Sequence, residues 1–470
     1  MTATPPPRTA ADADAFFDAI DNAPLTDRFW LAVGLLMLVS VFDYFDFFIV
    51  GFVISVVGPA WQLTYAQTSI VLLSAGLGSI VGALVLGPIS DRFGRKPMLI
   101  GAVALCAISS GAVGFIADGS WQLFAVLRFL AGFGISGATL ASITIAVEIT
   151  PTRVRTMLTS AMIVPVSFGI LAAAALSSTM LPVIGWRGLA MIGFVPLVLL
   201  IPCMFFVPES VRWLVVRGRA REAHAVAAHQ LRQPALPPAP AKLDSRVDAS
   251  RWSDIYADPR RFWFVVLMWV GFSAASYGVY LWGPTILSLV LGVTPSEAAG
   301  MFVMVGLAGI AGRIAFSVVP QFIGRRRAGQ LIGFGIALAL GAAAFSSDAL
   351  VGALPLLLIC LIVGAVFFDG GAVNLGPMPT ELFPARLAAR GTGLGQAANG
   401  AGRIIGPLVL ALIAGANNVV TPAATKSAVV PGFLFLAACG LVVGLAFTFL
   451  GIETHGRRLA LEDPAADGKS

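Results

Sequence analysis

The chain has 470 residues, of which 58% are apolar and only 11% are charged, and its formal net charge is +6. So apolar a composition excludes an ordinary water-soluble globular protein and predicts an integral membrane protein. The basic balance could suggest a nucleic-acid partner, but the distribution of the basic residues, described below, excludes that partner.

Twelve apolar runs, each long enough to cross a bilayer as a helix, follow one another along the chain. They occupy residues 28–56, 67–90, 97–116, 121–149, 156–181, 187–207, 261–292, 297–323, 328–347, 350–380, 391–416 and 428–451. Because the runs are continuous rather than alternating, they exclude a β-barrel. The sequence therefore predicts an all-α membrane protein with twelve transmembrane helices.

A polar stretch between the sixth and seventh runs divides the chain. Residues 208–260 hold many charges and the Pro-rich piece "QPALPPAPAK", which cannot fold alone. We expect a cytoplasmic linker with short surface helices here, joining two six-helix halves at 28–207 and 261–451. Residues 1–27 and 452–470 are expected to form a cytoplasmic N-terminal segment and a cytoplasmic tail.

The basic residues indicate the orientation. Most Lys and Arg lie in alternate loops and at the two ends, whereas Arg187 and Lys426 lie in the other loops and Arg128, Arg313 and Arg403 lie within runs. By the positive-inside rule, both termini and the linker face the cytoplasm. Lipid headgroups of negative charge are incidental partners of these residues.

The first run contains two carboxylates, Asp43 and Asp46, in the heptapeptide "FDYFDFF". Inserting a charged residue at the centre of a membrane helix costs about 2.5–3.5 kcal/mol of free energy. Charged residues are therefore seldom kept there without a role in function. Three residues apart, they share one helical face, and the helical rise places Arg128 of the fourth run at a similar depth. We expect an Asp46–Arg128 or an Asp43–Arg128 ion pair.

A carboxyl group that alternates between an apolar cavity and an arginine can bind and release a proton as the cavity opens and closes. The three histidines lie outside the runs and cannot serve instead. We expect Asp46, the deeper of the two acids, to carry the proton, with Asp43 as the alternative. Asp43 could instead be a hydrated residue at the cavity mouth.

Three charged residues lie within runs of the second half: Arg313, Asp369 and Arg403. A guanidinium group binds a carboxylate through two parallel donors, so we expect Arg403, Arg313 or both to hold a substrate carboxylate. Alternatively, either arginine pairs with Asp369, Arg313 faces the cytoplasm, or Asp369 is a second titrating group.

Aromatic and amide side chains could complete a cavity around these charges. Rings of the seventh run, with Phe42, Tyr44 and Phe45 of the first, could form a wall for a flat solute, or could face lipid or the core. The two asparagines could line the cavity or join helices. The candidate substrate-binding residues are Arg403, Arg313, Asp369, Tyr277, Tyr280, Trp282, Asn374 and Asn399.

The two halves contain similar sequences at one place. The fourth run ends in "EITPTRVR" and the tenth is followed by "ELFPARLAAR", which indicates an internal duplication. Transporters are commonly built from such repeats, with a binding site at the repeat interface and alternating access by rocking of the halves.

A loop directly after the second run reads "GPISDRFGRKP", residues 87–97. It resembles the signature loop of the major facilitator superfamily, Gly-x-x-x-Asp-Arg-x-Gly-Arg-Lys, at every position. The paired aspartates resemble the first helix of the aromatic-acid and related metabolite proton symporters of that superfamily, and "SYGVYLWGPTIL" and "GRIIGPLV" resemble its nicotinate-type transporters. "PESVRWLVVRGR" and "ETHGRRL" are similar to segments of sugar porters.

The resemblance implies a cytoplasmic gate of ion pairs that closes the inner side in the outward-open state. In the first half it would use Gly87, Asp91, Arg92, Gly94, Arg95, Glu148 and Arg153. Arg325, Arg326, Glu381, Arg390 and Glu209 would repeat this arrangement less completely, because Gln321 stands where the motif has an acid.

We therefore expect a secondary transporter that takes up a small organic anion, such as an aromatic or heteroaromatic carboxylate, with protons. Drug or metabolite efflux by proton antiport and sugar or polyol symport are the alternatives. The cysteine spacing and the absence of catalytic motifs predict no enzyme activity, no metal and no cofactor besides the coupling proton. We expect a monomer in the inner membrane of a bacterial cell.

Overall fold

A computed structural model describes residues 10–232, 236–240, 252–383 and 387–454, apart from residues 152, 155–157, 159, 160, 163, 238 and 348. Within these residues, eleven helical stretches are long and apolar enough to cross a membrane. The protein is therefore all-helical in its core, as the apolar runs predict. Much of the Pro-rich part of the linker, and the tail from His455 onward, lie outside the described residues.

The first part of the described chain contains seven helices. They are α1 (Ala10–Asn22), α2 (Asp27–Ala60), α3 (Tyr65–Phe93), α4 (Arg95–Ala112), α5 (Trp121–Ile149), α6 (Pro165–Met191) and α7 (Val195–Phe206). Single 3₁₀ turns at Val113–Phe115 and Ile192–Phe194 extend α4 and join α6 to α7.

A glycine divides the long helical stretch Pro165–Phe206. Its 42 residues would span about 63 Å at 1.5 Å per residue, roughly twice the apolar thickness of a bilayer. Gly185 interrupts the stretch with φ 65° and ψ −179°, a conformation that only glycine adopts readily. Two helical pieces thus meet at Gly185, between the fifth and sixth apolar runs.

The remaining described elements begin in the linker with α8 (Val211–Val216), α9 (Ala220–Leu231) and a 3₁₀ turn at Trp252–Ile255. They continue with α10 (Pro259–Leu291), α11 (Pro295–Ile323), α12 (Arg325–Ala344), α13 (Leu356–Leu375), α14 (Met378–Leu382), α15 (Ala388–Ile413) and α16 (Pro422–Phe449). Two short antiparallel strands, β1 (Leu350–Val351) and β2 (Leu354–Pro355), form a hairpin between α12 and α13.

The same local signals set helix ends in both parts of the chain. Thr64 and Thr294 begin α3 and α11 with capping boxes. Gly94 (φ 111°) and Gly324 (φ 82°) then end those helices, and α4 and α12 start at the next residue. This repeated arrangement agrees with an internal duplication.

The spanning helices form two groups. In the first group, α2–α7, α3 and α4 pack on α5, and α2 packs on α6. In the second group, α10–α16, α11 packs on α13, α12 on α16 and α10 on α15. The groups meet along the pairs α6–α11, α3–α15 and α2–α10. We call the end that carries residues 87–97 the motif end, and the other end the opposite end.

Loops of the two groups are hydrogen-bonded to each other at the opposite end. Thr64, before α3, and Val419, before α16, form an antiparallel bridge. Three main-chain hydrogen bonds of 2.9 Å surround it, from Tyr65 N to Asn418 O, Ala66 N to Ala416 O and Val420 N to Leu63 O. We call residues 63–66 and 416–420 the clasp, because they close the interface at this end.

The N-terminal segment contains a folded helix that was not predicted. Phe16 of α1 is fully buried and stacks on His224 of α9, and the guanidinium of Arg212 lies 5.6 Å from the ring centroid of Phe17. Helix α1 thus packs on the linker helices at the motif end.

Candidate functional site

An ion pair buried in the first group joins α2 to α5. Arg128 donates from Nη1 to Oδ2 of Asp46 and from Nη2 to the main-chain oxygen of Asp46, both at 2.9 Å. The hydroxyl of Ser110 donates to Oδ1 of the same carboxylate. Arg128 exposes 2% and Asp46 4% of its surface. The structure therefore forms the Asp46–Arg128 pair, one of the two that the helical rise predicts.

Asp43 is as deeply buried as Asp46 but has far fewer contacts. Thr139 donates a hydrogen bond to its Oδ2 at 3.4 Å, and no Lys or Arg of the described chain forms an ion pair with it. The Asp43–Arg128 pairing is thus not formed, and Asp43 is no hydrated residue at a cavity mouth. Burying an unpaired carboxylate is costly, and binding a proton removes the charge, so Asp43 can hold a proton without breaking an ion pair.

A second buried ion pair lies where the two groups meet. Arg313 of α11 donates from Nη2 to Oδ1 of Asp369 on α13 at 2.7 Å. Tyr280 of α10 donates to Oδ2 at 2.6 Å, and Ser167 of α6 donates to Oδ1 at 3.1 Å and also contacts Nε of Arg313. The acid partner of Arg313 is therefore Asp369, and the alternative Arg403–Asp369 pair is not formed. Arg313 is buried in this cluster rather than facing the cytoplasm.

Arg403 of α15 lies over two aromatic rings at the same junction. Its guanidinium carbon is 4.6 Å from the ring centroid of Tyr277 and 5.6 Å from that of Phe47. Its side chain is partly exposed, its Nε has no hydrogen-bond partner, and no carboxylate of the described residues pairs with it. Such a guanidinium can bind the carboxylate of a flat solute while the rings contact its apolar face.

The aromatic residues that contact this arginine differ from those expected on α2. Phe47 and Phe48 touch Tyr277, with ring centroids 5.6 and 5.8 Å away, whereas Phe42 and Phe45 pack against each other. The rings of α2 are spread over all of its faces, so the hydropathy pattern does not show which of them point inward.

Trp282 packs in the core and Asn374 joins two helices, which were the alternatives to lining the cavity. Trp282 donates to the main-chain oxygen of Pro407 at 3.2 Å and packs on Tyr65 of the clasp. Asn374 lies near the end of α13 and donates to the main-chain oxygen of Arg325 at 3.2 Å. Asn374 thus lies at the motif end, and Trp282 packs between α15 and the clasp.

The signature loop forms a compact charged cluster at the motif end. Arg95 pairs with Asp91 at 3.0 Å and lies 3.7 Å from Glu148. Glu209 accepts a hydrogen bond from the main-chain N–H of Arg95 at 3.0 Å. Gly94 is required here, since a Cβ at its positive φ would overlap Glu209. Glu209 therefore belongs to the first loop and not to the second-half set in which we expected it.

Glu453 takes the corresponding place in the second half and was missed from the sequence. Its carboxylate accepts the main-chain N–H groups of Arg325 at 3.0 Å and Arg326 at 3.1 Å. Arg325 also pairs with Glu381 at 2.9 Å. Among the described residues, Gln321 donates only to the main-chain oxygen of Ser317 in its own helix, so it does not replace Asp91. The signal that could have identified Glu453 is its place just after the last run of its half, as for Glu209.

The other residues of the expected gate have different contacts. Arg92 lies over the ring of Phe93, Arg153 donates to the main-chain oxygen of Ala23, and Gly87 lies within α3 near Leu140. Arg390 lies in the first turn of α15. No cluster of three or more His, Cys, Asp or Glu in the described chain could hold a metal ion.

Comparisons with known proteins agree with this architecture. The family model described as Major Facilitator Superfamily matches residues 36–407. Solved structures of a D-xylose-proton symporter and of the inward-open xylose transporter XylE from E. coli each superpose with a TM-score of 0.69. The D-xylose-proton symporter is 20% identical to the chain, and XylE is 17% identical. Each superposition covers 92% of this chain, and it covers 99% of the symporter and 98% of XylE.

Several curated relatives match over nearly their whole length. The niacin transporter NiaP of Acinetobacter baylyi is 27% identical, over 94% of this chain and 98% of its own. The 4-hydroxybenzoate transporter PcaK of Pseudomonas aeruginosa is 28% identical, over 89% and 95%. The gallate transporter of Pseudomonas putida is 30% identical, over 94% and 93%. The chain therefore belongs to the major facilitator superfamily, and it is a multi-pass membrane transporter rather than an enzyme.

Proposed function

We propose that this transporter takes up a small aromatic or heteroaromatic carboxylate together with protons, by alternating access. The proposal rests chiefly on the environment of the Arg403 guanidinium group. Its guanidinium stacks on Tyr277 at the junction of the two groups and has no acid partner among the described residues. A buried or half-buried cation normally has a partner, and a substrate carboxylate would supply one.

The charge pattern narrows the choice of binding residue. Asp46 is taken by Arg128, and Asp369 by Arg313. Within the described structure, Asp43 is then the carboxylate and Arg403 the guanidinium of the spanning core that lack an ion pair. We therefore assign the substrate carboxylate to Arg403 and leave Arg313 to the cluster that joins α6, α11 and α13.

The same pattern assigns the proton to Asp43. Protonation of Asp46 would leave Arg128 buried without a counter-charge, whereas protonation of Asp43 breaks no ion pair. Asp46 then keeps α2 on α5 and stays ionised. This reverses the preference for Asp46 that depth alone suggested.

The named relatives support the substrate class. A niacin transporter, a 4-hydroxybenzoate transporter and a gallate transporter each match almost the full chain. The solutes in those names all combine one aromatic ring with a carboxylate, which suits a guanidinium beside Tyr277 and Phe47.

For the topology we propose twelve spans, counting two in the stretch that Gly185 divides, with both termini and the motif end in the cytoplasm. Two six-helix halves, residues 28–207 and 261–451, would then flank the linker at 208–260. The protein would work as a monomer in the inner membrane of a bacterium.

The clasp indicates which side of the transporter is closed. Its main-chain hydrogen bonds join the two groups at the opposite end, which is the extracellular side in this topology. The ion pairs Arg95–Glu148 and Arg325–Glu381 each lie within one group. We infer an inward-facing state in which substrate leaves toward the cytoplasm.

Uptake into proteoliposomes tests the proposal. Labelled 4-hydroxybenzoate, gallate, niacin and benzoate would be supplied with and without an inwardly directed proton gradient, with xylose and an organic cation as controls. Accumulation of at least one aromatic acid should depend on the gradient. Gradient-driven uptake of xylose alone, or proton-driven export of the cation, would favour a sugar symporter or an efflux antiporter and contradict the proposal.

A further inference from the structure

Asn399 and Arg403 lie on the same side of α15, one helical turn apart, which is about 6 Å along the axis. Ser273 and Tyr277 have the same spacing on α10. The two helices touch at both levels: Arg403 stacks on Tyr277, and the hydroxyl of Ser273 donates to Oδ1 of Asn399 at 2.6 Å. A Cβ at Gly402 would lie 2.6 Å from that of Ser273, so close helix packing fixes the separation of the two levels.

Hydrogen-bond donors without acceptors occur along this seam. Among the described residues, the Nε of Arg403 has no partner, and neither has the indole N–H of Trp269, one turn before Ser273 on α10. Asn399 exposes only 8% of its surface, and its one hydrogen bond within the described chain uses Oδ1, which leaves both N–H groups of Nδ2 unused. A buried donor without an acceptor costs about 1–3 kcal/mol. Two such donors, beside an asparagine whose Nδ2 group bonds no described residue, indicate a ligand that supplies acceptors.

In an asparagine that only joins helices, the Nδ2 donors are bonded to the protein, as in Asn374. The Nδ2 group of Asn374 is bonded to the main-chain oxygen of Arg325. Asn399 instead holds Ser273 with its oxygen and keeps its donors available one turn from Arg403.

We propose that Asn399 forms a second polar subsite, which binds a hydrogen-bond acceptor on the side of the substrate ring opposite its carboxylate. This inference rests on the proposed function, with the carboxylate on Arg403. The separation of about 6 Å between the levels suits a single aromatic ring with groups at two opposite positions. The preferred substrates are then 4-substituted aromatic acids whose substituent accepts a hydrogen bond, such as a hydroxyl group.

A site built to bond a polar group rejects an analogue that lacks it, because its own donors are then left unpaired. Transport and inhibition constants would be compared for benzoate, 4-hydroxybenzoate, 4-methylbenzoate and 2-hydroxybenzoate. The methyl group matches the hydroxyl in size but cannot accept, and the 2-hydroxyl lies at the wrong position. We expect the wild type to favour 4-hydroxybenzoate over 4-methylbenzoate by about tenfold, the value of one good hydrogen bond.

Asn399→Ala should remove the preference for 4-hydroxybenzoate over 4-methylbenzoate, whatever change it makes to the constant for benzoate. Asn374→Ala, the matched control, should keep the preference. Equal constants for the 4-hydroxy and 4-methyl acids in the wild type would overturn the inference, as would an equal loss for all four acids in Asn399→Ala. If benzoate is carried without such discrimination, only this inference fails. If the wild type carries none of the four acids, this inference fails, and if it carries neither gallate nor niacin, the proposed function fails as well.

Discussion

Arg128 holds Asp46 by two hydrogen bonds of 2.9 Å, one to the carboxylate and one to the main-chain oxygen of the same residue. This contact fixes both the charge and the backbone of α2 against α5. It therefore links the stability of the first group to one aspartate, while Asp43, three residues earlier, has no such partner in the described structure. The two acids of "FDYFDFF" are thus expected to respond differently to the same substitution.

Asp46→Asn should lower the stability of the protein, because it leaves the buried guanidinium of Arg128 without a counter-charge. Breaking a buried ion pair from one side costs about 3–5 kcal/mol, and thermal unfolding in detergent would measure the loss as a lower Tm. The double variant Asp46→Asn/Arg128→Gln should recover part of it, since no uncompensated charge is left. A Tm equal to that of the wild type in the single variant would show that the pair contributes nothing.

Asp43→Asn should leave the Tm close to that of the wild type, because no ion pair is lost. It should abolish accumulation driven by a proton gradient while exchange of labelled for unlabelled substrate continues. Uptake and counterflow in the same proteoliposomes separate the two activities. Gradient-driven accumulation at the wild-type level would remove Asp43 as the proton carrier.

Arg403→Lys should raise the KM for aromatic carboxylates by about tenfold or more. The ammonium group keeps the charge but loses the planar stacking on Tyr277 and the paired donors of guanidinium. Arg187→Lys is the matched control, since Arg187 pairs with Asp118 at the opposite end with 41% of its side chain exposed. If both variants changed KM equally, the effect would not come from the site.

A disulfide across the clasp should stop transport. Thr64 and Val419 are partners in an antiparallel bridge, whose Cα separation of about 4.5–5.5 Å falls within the range that a disulfide spans. In Thr64→Cys/Val419→Cys, oxidation should block uptake and a reductant should restore it, while each single variant stays active. Undiminished transport by the fully cross-linked protein would show that the clasp does not open during the cycle.

The sequence predicted that Arg128 pairs with Asp46 or Asp43, because helix positions and a rise of about 1.5 Å per residue are enough to compare depths. It could not decide between Arg313 and Arg403 as the partner of Asp369. That choice depends on the rotation of α11 and α15 about their axes, and mostly apolar helices carry little signal for rotation. The structure places Arg313 on Asp369 and turns Arg403 toward Tyr277.

Contacts at the motif end were harder to predict, because they join residues that lie far apart in the chain. Glu209 follows α7 and Glu453 follows α16, yet they accept hydrogen bonds from the first residues of α4 and α12. The motif predicted charge at these loops but not which acid serves which loop. The polarity of Asn374 left cavity lining and helix joining open, and its position near the end of α13 brings it to Arg325, so that it joins two helices.

Proton movement driven by the substrate is the most direct test of proton symport through Asp43. Proteoliposomes without a pH gradient would receive external 4-hydroxybenzoate or benzoate while a trapped dye reports the internal pH, with protein-free liposomes as the control for passive entry of the acid. We expect internal acidification that requires the protein, follows substrate entry and is lost in Asp43→Asn. Protein-dependent entry of the acid with no protein-dependent change in internal pH would contradict it.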